Sequence, residues 1–533
     1  MTTATASLTG ARPLLRATAR HDGRLFAPWV AVVTLLSASS VIVYPWVFPD
    51  LTDRRLLAAS IEANPALGLV FGPAYDLTTV DGFNAWRSLA LGGFLVALGA
   101  IFAVTRATRA QEDSGQAELL ASGVMGRSAR LLAGVALALV GSVVAGVVAG
   151  VVTALCGGAW EASLLLGATF TATGWMLAGV AAVTAQLGSD SRTANSLAVA
   201  TLGVLYGLRG FCTALDAPSW TVWANPLGWT LETRPASGDR WAPLLLTVTL
   251  TLVLVGVAFV LQGRRDFGQG SIVPRPGPAR GTTRSTWRLA VRINRAPIVT
   301  WGITFVVLGV VFGYFTTSIT DVLSGNGGVQ QILASGATTP EALAGAFVRT
   351  VLSLIGIVAA VAGVQVMLKV RAEEVAERVE PLLAGAVARV RYYASHVVLA
   401  LCVVTACVLL AGTLVALLAS RADIGLGSGD VLLQAVVTVP AVWTVVAVSV
   451  AVVGARPVAS LASWAGVLVS FMLTLLGPTF GLDDWVLGIS PFWHVPDATA
   501  AAPDWSGLGW ITLVTALLLA VGLRGFRHRD VNR

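Results

Sequence analysis

The chain has 533 residues, 56% of them hydrophobic and 12% charged, and its mean hydropathy is +0.78. A soluble domain carries about 25% charged residues, so this composition excludes an ordinary soluble fold and points to a polytopic membrane protein. The net charge of +7 is almost wholly arginine, Lys369 being the single lysine. Its placement between apolar runs is that of membrane topology and does not suggest nucleic-acid binding.

In chain order, Arg12, Arg16, Arg20 and Arg24 recur every four residues with Leu14, Leu15 and Ala19 between them. This pattern predicts an amphipathic helix lying on an anionic membrane surface. Apolar runs near 26–47, 85–106, 130–155, 163–187, 194–212 and 242–262 are each long enough to cross a bilayer at about 1.5 Å rise per residue. The third run carries Gly141, Ala145, Gly146, Ala149 and Gly150, a small-residue spacing that predicts close helix packing. Residues 48–83 and a Trp-rich segment with Trp220, Trp223 and Asn225-Pro226-Leu227-Gly228-Trp229 read as outer loops. Cys156 and Cys212 fall near the outer ends of two spans, where a disulfide or two separate buried thiols would both fit.

Residues 263–296 form a linker rich in Pro, Gly and Arg, in which Arg288 and Arg292 repeat the N-terminal spacing. The order then recurs. Spans are expected near 297–316, 347–369, 393–419, 431–453, 458–477 and 507–524, with a long outer loop at 317–346. Arg192 with Ser196-Leu197-Ala198 returns as Arg456 with Ser460-Leu461-Ala462, and Arg264-Arg265-Asp266 is echoed by Arg527-His528-Arg529-Asp530. The expected fold is an all-α polytopic membrane protein of about twelve spans. It is built as two tandem six-helix repeats, 1–270 and 271–533, each preceded by an amphipathic surface helix. The basic clusters at 12–24, 106–130, 264–295, 369–391 and 524–533 place both termini and the loops after each second span in the cytoplasm. Parallel repeats of this kind predict a substrate path between the halves.

The duplication is sharpest in one polar stretch. Arg109-Ala110-Gln111-Glu112, Glu118-Leu119-Leu120, Gly123 and Arg127 reappear as Arg371-Ala372-Glu373-Glu374, Glu380-Pro381-Leu382, Gly385 and Arg389. The offset is constant, since 371 − 109 = 262 and 389 − 127 = 262. Glu112 and Glu118 would stand about 240° apart on one continuous helix. A break is therefore expected between them, followed by a short transverse helix that Gly123 or Gly385 ends and that Pro381 can open. Charges that only fix topology would account for the arginines. Acidic residues contribute little to topology, so the matched glutamates point instead to a protein partner.

Missing chemistry narrows the function. A phosphate-binding loop needs Gly immediately before its Lys, and Lys369 follows Leu368. The histidines His21, His396, His494 and His528 are scattered, and no metal, catalytic or cofactor constellation is evident. Acidic side chains are essentially absent from the middle of the expected spans, which weighs against proton coupling.

At the duplicated stretch the chain resembles the membrane subunits of ABC-2 type exporters, and it is most similar to the actinobacterial branch described as polyketide-antibiotic or multidrug exporters. The resemblance rests on the loop after the second span of each half, the preceding surface helix and the Pro-containing outer loop before each last span. It implies a permease in a bacterial cytoplasmic membrane that exports a hydrophobic or amphipathic compound. It also implies a separate ATPase, as a homodimer holding ATP and Mg, which docks on loops 105–128 and 367–390. Arg109, Glu112, Glu118 and Arg127, with Arg371, Glu374, Glu380 and Arg389, are the expected coupling residues, and the four glutamates are expected to face the ATPase. Tyr206, Phe211, Phe471 and Met472, on the fifth span of each half, are candidate lining residues for the substrate path. Gln111 against Glu373 and Leu119 against Pro381 imply unequal docking sites. The rival reading is a secondary transporter driven by an ion gradient. A scaffold role has no positive feature behind it.

Overall fold

The computed structural model describes residues 9–530 except 63–67, 69, 122–125, 127, 215–216, 267, 273–284, 318–339, 386, 422–426, 477–482 and 499–502. Most of the second long outer loop and the middle of the linker therefore lie outside the described residues, as do Gly123 and Arg127. The described structure is all-helical, with twelve helices long and apolar enough to cross a membrane. They are Ala11–Val47, Val80–Asp113, Ala129–Leu155, Trp160–Leu187, Ser191–Thr213, Pro243–Arg264, Thr286–Tyr314, Ala344–Val375, Arg389–Ala419, Ser428–Ala455, Pro457–Thr474 and Ser506–His528. The chain divides into two compact units, Met1–Gly277 and Pro278–Arg533, with six of these spans in each.

The same pairs pack in both units. In the first unit, span one lies on spans two and three, and span four lies on spans two, three and six. In the second, span seven lies on eight and nine, and span ten on eight, nine and twelve. Spans two, four, eight and ten are buried along most of their length, whereas spans five, six, eleven and twelve bury only a small share of theirs. Ala, Gly, Val and Ser are frequent on the buried face of each bundle, small side chains that let backbones approach and dispersion contacts accumulate where water supplies no driving force.

Gly146 illustrates this packing. A Cβ placed there would stand 2.2 Å from the Gly167 carbonyl oxygen and from Thr171 Oγ1 on the fourth span. Gly146→Leu is expected to lower stability by about 1–3 kcal/mol or more, read as a lower thermal midpoint of the purified protein. Gly256→Leu is the control, because nothing lies within 4 Å of that position.

The N-terminal amphipathic stretch forms the helix Ala11–Asp22 and joins the first span through a 3-10 turn at Gly23–Phe26. Leu14, Thr18, Asp22 and Phe26 are buried at four-residue spacing, packed toward the third span, while Arg12, Arg16, Arg20 and Arg24 are exposed. The matching stretch of the second unit is not a separate helix. Arg288, Arg292 and Arg295 lie exposed on the first turns of a single helix, Thr286–Thr317, that continues through Pro297. All four cysteines are free thiols, Cys156 and Cys212 included.

Candidate functional site: two carboxylate clamps beside exposed loops

The second span does not stop at the apolar boundary. It passes through a π-helical turn at Arg106–Ala110 and a last α turn at Gln111–Asp113. π turns are rare and concentrate at functional positions. The turn sets Arg109 inward, 1% exposed, with Nε donating to the Ala185 carbonyl at 3.0 Å and Nη2 to the Gln269 carbonyl at 2.9 Å.

Glu112 sits at the centre of this group, its side chain 3% exposed. Its Oε2 accepts from Arg109 Nη1 at 2.5 Å and from Arg265 Nη1 at 3.1 Å, and its Oε1 accepts from Arg265 Nη2 at 2.8 Å and from Arg130 Nη2. A carboxylate offers about four acceptor sites, and all four are used. Arg265 Nε also donates to Gln186 Oε1 at 2.7 Å, and Asp113 Oδ2 accepts from the Ser191 backbone N–H at 2.7 Å. One carboxylate and its neighbour thus tie together the ends of spans two to six of the first unit.

The second unit repeats the device in reduced form. The Glu374 side chain is fully buried and accepts from Arg529 Nη2 at 2.5 Å and from Arg371 Nη1 at 3.3 Å. Arg529 follows the last span as Arg265 follows the sixth, at an offset of 529 − 265 = 264. The position matching Arg130 is Tyr392, which is buried. Glu373, standing where the first copy has Gln111, is held by Lys369 and Arg378. Arg389 opens the ninth span and donates to the Arg529 carbonyl at 2.9 Å.

The expectation that all four glutamates face a partner is therefore corrected for two of them. Glu112 and Glu374 are turned into the bundle because arginines from distant spans take up their oxygens. Glu118 and Glu380 are exposed, on the short helices Gln116–Ala121 and Glu380–Leu383. Arg265, Arg529 and Arg130 escaped the sequence reading as site residues. The repeated arginine after the last span of each half was the signal available for the first two.

The break between the paired glutamates has the same backbone form in both units. Gly115 takes φ +75° and Glu377, 262 residues on, takes φ +56°. The backbone N–H of each donates to the carbonyl of its clamp glutamate, Glu112 at 3.1 Å and Glu374 at 2.8 Å. A left-handed conformation costs a residue with a side chain about 1–2 kcal/mol. Glu377→Gly is accordingly expected to stabilise the protein by about 1 kcal/mol, and Gly115→Ala to destabilise it by a similar amount. Thermal midpoints of the two variants check both signs.

Two of the four candidate lining residues lie in each unit. Tyr206 is half-buried, with its OH donating to the Val70 carbonyl at 2.6 Å, its ring edge-on to Phe94 and the Arg209 guanidinium over its face. Phe211 is exposed on the same helix. Phe471 and Met472 are exposed where the eleventh span changes from the α turn Ala465–Phe471 to the π turn Met472–Leu476. Among the described residues no group of three or more His, Cys, Asp or Glu is arranged to hold a metal.

A model of the family described as "Multidrug efflux system permease Rv1217c, C-terminal domain" matches residues 28–261 and again 284–527. A relative described as multidrug efflux system permease protein Rv1217c, from Mycobacterium tuberculosis (strain ATCC 25618 / H37Rv), is 35% identical over 541 aligned residues. The alignment covers 98% of this chain and 95% of the relative. With nearly all of its length matched in both comparisons, the chain belongs to this family of multidrug efflux system permeases.

Proposed function

We propose that the chain is the membrane permease of an ATP-driven exporter that moves hydrophobic or amphipathic, drug-like compounds out across a bacterial cytoplasmic membrane. A separate ATPase, acting as a homodimer with bound ATP and Mg, docks on the loops at 105–128 and 367–390. Glu118 and Glu380 are its contact residues. Glu112 and Glu374 do not touch it. They lock each loop to the ends of the surrounding spans, so that a push on the loop moves the bundle as a body. Arg109 and Arg371 belong to these locks, and Arg389 braces the second through the Arg529 backbone. Arg127, outside the described residues, is kept as a proposed coupling residue by its register with Arg389.

The observation that carries this reading is the pairing, in each half, of one exposed glutamate on a short helix with one buried glutamate clamped behind it. A solvated loop serving topology alone needs no buried, fully satisfied carboxylate at its root. The absence of a phosphate-binding loop from the sequence and of acidic residues from the mid-span positions supports the same choice of energy source. Phe211, Phe471 and Met472 remain the proposed lining of the drug path, and Tyr206 positions the fifth span behind Phe211.

The test is purification from the native membrane followed by transport in vesicles. An ATPase subunit is expected to co-purify, and export is expected to follow ATP and to survive collapse of the proton and sodium gradients. Transport by the purified chain alone, driven by an imposed ion gradient, would overturn the proposal in favour of a secondary transporter.

A further inference from the structure

The two clamps differ in one respect that the coupling role does not use. In the first unit every nitrogen of Arg265 has a partner. The chain beyond it turns back, so that the Ser271 and Ile272 backbone N–H groups donate to the Gln186 and Leu187 carbonyls at 3.2 and 2.9 Å, and the Gln269 carbonyl accepts from Arg265 Nη1 at 2.9 Å. Residues 268–272 therefore lie across that corner of the bundle. No described residue takes their place in the second unit. There Arg529 gives Nη2 to Glu374 and Nε to the Gly454 carbonyl at 2.9 Å, while its Nη1 is buried with no hydrogen-bond partner among the described residues.

An open groove of about 560 Å³ lies at this corner, lined by Ala455–Ala459 together with Arg529 and Asp530. Arg456 is exposed there and makes no ion pair among the described residues. Arg389 lies close behind, donating to the Arg529 backbone carbonyl. Asp530 is the one acidic residue of the lining. Glu374 takes up one face of Arg529, but Arg456 and Arg389 are then left against Asp530 alone, and leaving a buried guanidinium N–H without an acceptor is costly. Val458 of the lining and Leu461 one turn on, both on the 3-10 turn Pro457–Trp464, are 84% and 85% exposed. Apolar side chains this bare at the end of a span belong against acyl chains.

We propose that this groove binds a phosphate-bearing anion between Arg456 and Arg529. Oxygen acceptors of the phosphate satisfy Arg529 Nη1, and Arg456 closes over the charge as a second, charge-assisted donor. The position of Val458 and Leu461 favours the headgroup of an anionic lipid as its source, with the acyl chains running along the eleventh span. Because Arg529 also holds Glu374, an occupied groove steadies the second clamp and leaves the first unchanged.

The test uses the full-length purified chain in an uncharged detergent, with thermal unfolding followed while short-chain phosphatidylglycerol or inorganic phosphate is titrated. Phosphatidylcholine is the uncharged control. Saturable stabilisation is expected with phosphatidylglycerol and not with phosphatidylcholine. Arg456→Gln should weaken it about tenfold, as expected for the loss of one charge-assisted contact, and Arg456→Lys should restore part of it. Among the described residues Arg456 makes no ion pair or side-chain hydrogen bond to either clamp, so Arg456→Gln without ligand should unfold at the wild-type temperature. Equal protection by inorganic phosphate would assign the site to the free anion, and protection by the lipid alone would assign it to the headgroup. Identical titrations of wild type and Arg456→Gln would overturn the proposal. So would an anion response that appears only after residues 531–533 are deleted, because the groove would then belong to the chain's own C-terminal segment.

Discussion

Glu112→Gln is expected to cost about 3–5 kcal/mol of stability, the usual penalty for removing one partner of a buried ion pair. The carboxylate is the anion that Arg109, Arg130 and Arg265 share, and their side chains are 1%, 12% and 9% exposed. The amide keeps one acceptor and gains two donors, so it neither neutralises the three guanidiniums nor accepts from all of them. The carbonyls of Ala185 and Gln269 and the Gln186 side chain still solvate Arg109 and Arg265, and the loss stays below the full cost of three bare charges. Glu374→Gln is expected to cost less, about 1–3 kcal/mol, because Arg371 is 23% exposed and can turn to water. The thermal midpoint and the monodisperse yield of the purified protein report both losses. Removing a cation together with the anion, as in Glu112→Gln with Arg265→Gln, should recover part of the first. A Glu112→Gln protein as stable as wild type would mean that the arginines find other partners, and the clamp would lose its role.

The clamp also separates what the sequence makes legible from what it hides. The twelve spans follow from hydropathy alone, since each apolar run satisfies its backbone internally and its ends are marked by arginine or tryptophan. The small-residue stripe of the third span was readable as packing, because only close backbone approach rewards Gly146 and Gly150. The break between Glu112 and Glu118 was readable from helical phase, and it falls at Gly115. The direction of Glu112 was not readable. It depends on Arg265, 153 residues away in sequence, and on a π turn that rotates Arg109 inward, and no local periodicity encodes either. The echo of Arg265 in Arg529 was visible as a repeat, but a repeated arginine after a span reads equally well as a topology signal. Glu377 hid in the same way. Nothing about a glutamate announces φ +56°, and only its register with Gly115 reveals it.

On the proposed ATPase docking, reversing the two exposed glutamates, Glu118→Arg with Glu380→Arg, is expected to abolish ATP-driven export while leaving the protein folded in the membrane. Both side chains are exposed on short helices, and substitutions at such sites usually change stability by no more than about 0.5 kcal/mol. Glu380 opens its helix, where an anion is favoured, so its reversal adds about 0.3–1 kcal/mol, far below the loss expected at Glu112. The effect on docking is of another size. Truncating one partner of an interfacial charge pair costs about 2–5 kcal/mol, and reversal adds repulsion against whatever cation the ATPase presents. Two such sites together should reduce export at least a hundredfold, and each single reversal should leave an intermediate rate. The two singles are not expected to be equal, because the second helix is shorter, begins at Glu380-Pro381 and sits on the weaker clamp. Glu118→Gln with Glu380→Gln separates loss of attraction from repulsion and should fall between wild type and the reversed pair. The measurements are ATP-driven drug export in vesicles and recovery of the ATPase with the permease at low and moderate salt, since an electrostatic contact weakens as the Debye length shortens. Wild-type export by the reversed pair would place the ATPase contact elsewhere, and the buried clamps would then be scaffolding for a loop that receives no force.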